Sequence, residues 1–146
     1  MNEARSVVAL SSAATAVAGY RLSLQYARQR LQGRVRGEQK ADAPQVPVIR
    51  HADVRRMLLR QKCYAEGVLA LNLYCARLYD EERLAPSGEQ RHHAGLLLEL
   101  LIPVAKHCSA QWGQQVSLLT MQVFGGAAYS AGTAPEQMYR DQCMHT

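Results

Sequence analysis

With 48% hydrophobic and 20% charged residues over 146 positions, the composition excludes a disordered chain, and the length suffices to bury roughly 68 to 70% of the unfolded surface as one domain without staples. A single Phe and a single Trp leave Leu, Val, Ala and seven Tyr to fill the interior, which suits a helical core better than a β-sandwich. The net charge of +5 is uneven: residues 1 to 60 carry eleven Lys/Arg against four acids, residues 61 to 146 carry six against eight, and fourteen of the seventeen cations are Arg.

Arginine's planar fork matches phosphate and carboxylate oxygens, so the basic half points to nucleic acid, an anionic membrane or a phosphorylated cofactor. No aromatic residues interleave with the cations and no nucleic-acid reading motif is present, so a nucleic-acid partner is not expected. The opening "MNEARSVVALSSAATAVAGY" has the outline of a signal peptide, but Glu3 cancels Arg5 and Ser11, Ser12 and Thr15 interrupt the apolar centre. No run reaches the ~20 apolar residues of a spanning helix, so a cytoplasmic chain without a membrane span is expected.

Residues 3 to 32 contain no Pro and repeat Val7, Leu10, Ala14, Val17, Leu24 and Leu31 at helical steps, which predicts a first helix. Gly33, Gly37, Pro44 and Pro47 then mark a loop of about 17 residues, long for a compact bundle. From Ala52 to Tyr79 an apolar stripe through Met57, Leu58, Val68, Cys75 and Leu78 predicts a second helix, with His51 as its cap. "DEERLAPSGEQ" supplies a turn, and residues 89 to 124 read as a third helix, kinked at Pro103, with Leu97, Leu98, Leu101, Val104, Ala105, Cys108, Val116, Leu119 and Val123 inward. Gly125 and Gly126 stop it, because the residue past a last turn often takes positive φ. Thr133 and Glu136 have capping-box spacing, with Pro135 in the first turn of a short fourth helix that runs toward Cys143. Helices of this length, about 40 to 55 Å, must pack side by side, so the expected fold is all-α, an up-down bundle of three long helices and a truncated fourth.

Catalytic patterns are absent: there is no paired carboxylate, no Ser-His-Asp set and no P-loop. Cys63, Cys75, Cys108 and Cys143 are spaced by 12, 33 and 35 residues, without a CxxC, so they read as four buried, reduced thiols rather than zinc ligands, with two disulfides as the alternative in an exported chain. His92 and His93 read as solvated turn residues, and Glu66 and Glu99 as helix-flank acids. Arg28, Arg30 and Arg34 cluster near the end of the first helix, where they either complement its dipole or clamp a diphosphate.

Several segments occur in a familiar order. "MNEAR", "YARQRLQGR", "IRHADVRRMLLRQKCYAEG", "QVFGGAAY" and "EQMYRD" together resemble the C-terminal helical domain of the flavin-dependent acyl-CoA dehydrogenases, over essentially the whole chain. The resemblance implies a C-terminal domain or fragment of an enzyme that oxidises acyl-CoA thioesters with FAD in fatty-acid metabolism. It also implies that the N-terminal helical and middle β-domains are absent, that the chain is inactive alone, and that it assembles as a homo-oligomer, a dimer or tetramer. A non-catalytic oligomerisation or interaction module derived from that family is the alternative. Arg30 would match the arginine that contacts the FAD diphosphate across a subunit interface, and Gln122, Gly125 and Gly126 the stretch that meets the adenosine diphosphate part. Arg140 and Asp141 would match the Arg-Asp ahead of the active-site segment. No residue matches the catalytic Glu, so the expected catalytic and metal sets are empty. Where the family pattern has Gly, usually Glu, and Pro, this chain has Ala128, Gly132 and Ala134, with the proline at Pro135.

Overall fold

The computed structural model describes residues 2–34 and 44–145. Among the described residues four helices form: α1 (Asn2–Gln29), α2 (Ala52–Leu84), α3 (Gly88–Phe124) and α4 (Ala134–Cys143), with short 3-10 turns at Val48–Arg50 and Gly125–Tyr129. The all-α bundle of three long helices and one short one is the architecture expected. Much of the loop between α1 and α2 lies outside the described residues, among them Gly37. α1 and α2 run antiparallel, as do α2 and α3; α3 has extensive contacts with both, and α4 packs mainly on α3.

Helix ends follow local chemistry. Ser87 caps α3, its hydroxyl accepting from the Gln90 amide at 3.5 Å. At the other end Gly125 takes φ +60°, and its N–H returns to the Gln122 and Met121 carbonyls. α3 runs without interruption through Pro103. The expected capping box at α4 does not close: the Thr133 hydroxyl donates back to the Ala128 carbonyl at 3.1 Å, while Glu136 takes Arg140 in an i,i+4 pair at 2.9 Å. A forward guanidinium within reach satisfies that carboxylate before it can fold back onto Thr133. His51 occupies the N-cap position of α2, but its ring makes no capping bond.

The core is layered. Nearest the α1–α2 loop, Ala27, Val48, Met57, Leu58 and Val123 pack together; mid-bundle, Ala13, Ala16, Ala65, Val68 and Val116; nearest the α2–α3 turn, Cys75, Leu78, Ala94, Leu98, Ile102 and Ala105. Buried polar side chains lie between these clusters in sequence register on each helix. Ser12, Asn72 and Ser109 separate the second and third clusters, and Ser23, Gln61 and Thr120 separate the first and second.

Two expectations change. α1 faces the core with Ala9, Ser12, Ala13, Ala16, Gly19, Ser23 and Ala27, whereas Val7 and Leu10 stand 68% and 49% exposed. Small residues let α1 lie close to α3; a Cβ on Gly19 would come within 3.1 Å of Thr120 Oγ1, so this face has no room for the larger side chains. Val104 likewise points outward, 44% exposed. α1 also contains an 18-residue window, with a mean hydropathy of 1.3, apolar enough to cross a membrane by length and composition alone. Of the cysteines only Cys75 is buried; Cys63 and Cys143 are exposed, Cys108 is half-buried, and none is disulfide-bonded.

Candidate functional site

α1 ends at Gln29, and the chain then leaves through the segment Arg30–Gly33, in which Leu31 forms an isolated antiparallel bridge to Pro47. A short antiparallel ladder holds it against residues 46–48: the Val48 amide donates to the Arg30 carbonyl at 2.8 Å, Gln32 to Val46 at 2.9 Å, and Val46 to Gly33 at 3.2 Å. Gly33 takes φ +70°, a turn that a side-chain-bearing residue enters only with strain. The end of α3 arrives beside this ladder. Tyr26 stacks on Phe124 with centroids 4.0 Å apart and planes 19° from parallel, and the tyrosine hydroxyl donates to the Phe124 carbonyl at 3.4 Å.

Between these elements lies a cleft of about 430 Å³, lined by Arg30, His51, Gln122, Gly125 and the Tyr26–Phe124 pair among others. Its volume is within the ~300–1,000 Å³ range of small-molecule sites. Arg30, Gln122 and Gly125, far apart in sequence, therefore meet at one surface. Gly126 follows in the 3-10 turn, exposed, and does not line the cleft. Arg28 and Arg34 are exposed and also stand outside it.

The donors are of a kind that suits an anion with an aromatic appendage. Arg30 is exposed, and among the described residues no hydrogen bond or ion pair of its guanidinium is found. Gln122 Nε2 donates to the Tyr129 hydroxyl at 3.3 Å, leaving its other valences free to turn outward. A Cβ on Gly125 or Gly126 would meet nothing within 4 Å, so both glycine backbones face open space that a ligand could approach closely. The residues present thus fit the phosphate-bearing end of a dinucleotide.

The remaining sequence candidates lie apart. Arg140 is held by Glu136 and Asp141 is exposed on α4. Glu66 pairs with Lys62 at 3.6 Å in solvent, and Glu99, His92 and His93 are exposed. Ala128 is fully buried under Thr133, and Gly132 takes φ +83°. A side chain at that positive φ would be strained, so this turn favours glycine. His51 and the Tyr26–Phe124 pair are among the cleft residues that sequence reading missed as site residues; the adjacency of "RH" to "YARQR" across the ladder is visible only in three dimensions.

A family model described as the acyl-CoA dehydrogenase C-terminal domain matches residues 1–146. The chain belongs to the acyl-CoA dehydrogenase family. Among curated relatives, the 3-methylmercaptopropionyl-CoA dehydrogenase of Ruegeria pomeroyi is 36% identical over 141 residues, 97% of this chain and 24% of the relative. The broad-specificity linear acyl-CoA dehydrogenase of Mycobacterium tuberculosis is 35% identical over 97% of this chain and 23% of its own length. A butyryl-CoA dehydrogenase of Syntrophomonas wolfei is 32% identical over the whole chain and 24% of its length. This acyl-CoA dehydrogenase domain therefore spans about a quarter of the length of the curated relatives it matches. A crystal structure of a Mycobacterium smegmatis protein described as an acyl-CoA dehydrogenase superposes with a TM-score of 0.75 at 21% identity, covering 99% of this chain and 32% of that one, a likeness of fold.

Proposed function

We propose that the chain acts as the C-terminal domain of an FAD-dependent acyl-CoA dehydrogenase, in the α,β-dehydrogenation of acyl-CoA thioesters, and contributes a half-site for the adenosine diphosphate part of the flavin. The carrying observation is the convergence of Arg30, from the end of α1, with Gln122 and Gly125, from the end of α3, on one cleft. Arg30 would donate to diphosphate oxygens, where a charge-assisted fork is strongest. The open backbone at Gly125 and Gly126 would admit close approach, and the stacked Tyr26–Phe124 pair would form an apolar wall. Bound FAD supplies the hydride acceptor; this chain supplies binding and orientation, and no catalytic residue is assigned to it. The acyl-CoA thioester class is common to the names of all three relatives.

The chain self-associates in this reading. Large apolar side chains stand in solvent on all three long helices, among them Val7, Leu73, Leu84 and Leu100, each more than half exposed. Cysteines without a disulfide at Cys63, Cys75 and Cys108, on α2 and α3, suit a reducing, cytoplasmic setting.

Size-exclusion chromatography with added FAD, recording light-scattering mass and flavin absorbance in one peak, tests the reading. Flavin should co-elute with a dimer or tetramer, and Arg30→Ala should weaken it by about tenfold to a hundredfold, the worth of a charge-assisted hydrogen bond. An oligomer that never carries flavin would replace this reading with the non-catalytic interaction module, to which the exposed apolar faces equally lend support.

A further inference from the structure

We infer that His51 is a positioning residue: through the Gln32 carbonyl it holds the Arg30–Gly33 segment closed on residues 46–48, and so sets where the Arg30 guanidinium stands over the cleft. The flavin-site reading above enters only for the consequence of this clasp, not for its existence.

His51 sits at the junction of α2 with the turn before it, extended at φ −78° and ψ 134°, yet its side chain turns away from the helix it precedes. Its Nε2 lies 2.8 Å from the Gln32 carbonyl oxygen, nineteen residues back. A carbonyl only accepts, so Nε2 must carry the proton, either in the Nε2–H tautomer or in the imidazolium. On the other face the ring covers Gly33: a Cβ there would lie 3.2 Å from both Cε1 and Nε2. Gly33 is thus glycine for two reasons at once, the positive φ and the imidazole above it.

The ladder that this bond reinforces is small. Its three backbone hydrogen bonds join Arg30, Gln32 and Gly33 to residues 46–48, and ladders this short are marginal alone. Arg30 is the first residue past α1, so its φ and ψ are not fixed by helical bonds beyond its own N–H, which donates to the Tyr26 carbonyl at 2.8 Å. Its carbonyl is fixed by the Val48 amide. A side-chain bond one residue pair further along, from an element anchored by α2, converts a two-point tether of Arg30 into a closed loop. Because His51 itself lines the cleft with Arg30, the same ring that closes the clasp borders the space it shapes.

The test compares His51→Ala and His51→Gln, the latter keeping an N–H donor, by amide hydrogen exchange and by titration with FAD. In His51→Ala the Gln32 and Val48 amides should exchange about tenfold faster while Val68 in the core stays as protected as before. FAD should bind about fivefold more weakly, one net hydrogen bond's worth, and His51→Gln should restore both. Unchanged exchange at Gln32 and Val48 would overturn the inference, as would faster exchange with unaltered flavin affinity. If the parent chain binds no FAD, the flavin reading falls, and the exchange comparison alone decides: loss of protection upholds the clasp and its absence removes it.

Discussion

Burial separates chemically identical residues. The Cys75 thiol lies within the α2–α3 cluster, and desolvation pushes its pKa above the usual value, because a thiolate there would lose its hydration. Cys63 on the same helix is exposed. At pH 8, iodoacetamide should modify Cys63 while Cys75 reacts about an order of magnitude or more slowly, since the thiolate is the nucleophile. Peptide mapping of a time course reads this directly; equal rates in the folded protein would show that the α2–α3 layer is open. The spacing of the four cysteines could not distinguish a buried thiol from an exposed one, because Cys63 and Cys75 sit on helical positions whose outward or inward sense depends on where the neighbouring helices lie.

Among the elements, α4 is the one whose attachment rests on a few polar contacts. Gln142 is fully buried; its Nε2 donates to Ser12 Oγ at 2.6 Å and lies 3.4 Å from the Ala110 carbonyl, while Ser12 Oγ donates to the Ser109 carbonyl at 2.6 Å. Asn72 Nδ2 extends the set to Ser109 Oγ at 2.8 Å. Gly113 makes the room: a Cβ on it would fall 2.5 Å from Gln142 Nε2 and 2.6 Å from Ser12 Oγ. Gln142→Ala removes the donor that joins α4 to α1 and should cost about 1–3 kcal/mol, the range for a broken buried hydrogen bond. Amide exchange should rise in α4 and not at the α2–α3 turn. If α4 keeps its protection, the buried Pro135 and its neighbours hold the helix instead. The spacing of Thr133, Pro135 and Glu136 located α4, yet the sequence pattern passed over Gln142, Ser12 and Gly113, because polar and small residues are read as outward unless a partner is known.

Across the whole bundle, apolar clusters alternate with polar layers. The layer of Ser12, Asn72, Ser109 and Gln142 is hydrogen-bonded between helices, whereas Ser23 Oγ and both amide atoms of Gln61 are buried without a protein partner. A buried polar group without a partner costs its desolvation, and replacing it by an apolar group of like volume is neutral or stabilising. Gln61→Met should therefore leave the urea midpoint unchanged or raise it by up to about 2 kcal/mol equivalent. A loss greater than about 1 kcal/mol would show that Gln61 is satisfied in solution, as by an ordered internal water with two or more polar partners. On the outer surface, α1 turns its small residues inward and its larger ones, Val7 and Leu10, to solvent.

Helix number, order and approximate ends were determined by the sequence alone, because caps, glycine stops and proline are local and act on the residues beside them. The family assignment was likewise legible, since "YARQR" and "QVFGG" keep their spacing on helices of set rise. Tertiary structure decided the rest. Which side of α1 faces inward depends on how closely α3 can approach, and closeness favoured Ala and Ser over Leu and Val. The cleft exists because two helix ends, at Arg30 and Gly125, arrive together, and His51 joins it through a hydrogen bond to a residue nineteen positions away. Contacts between distant residues carry no periodic trace in the chain, so the geometry of the site appears only when the helices have packed.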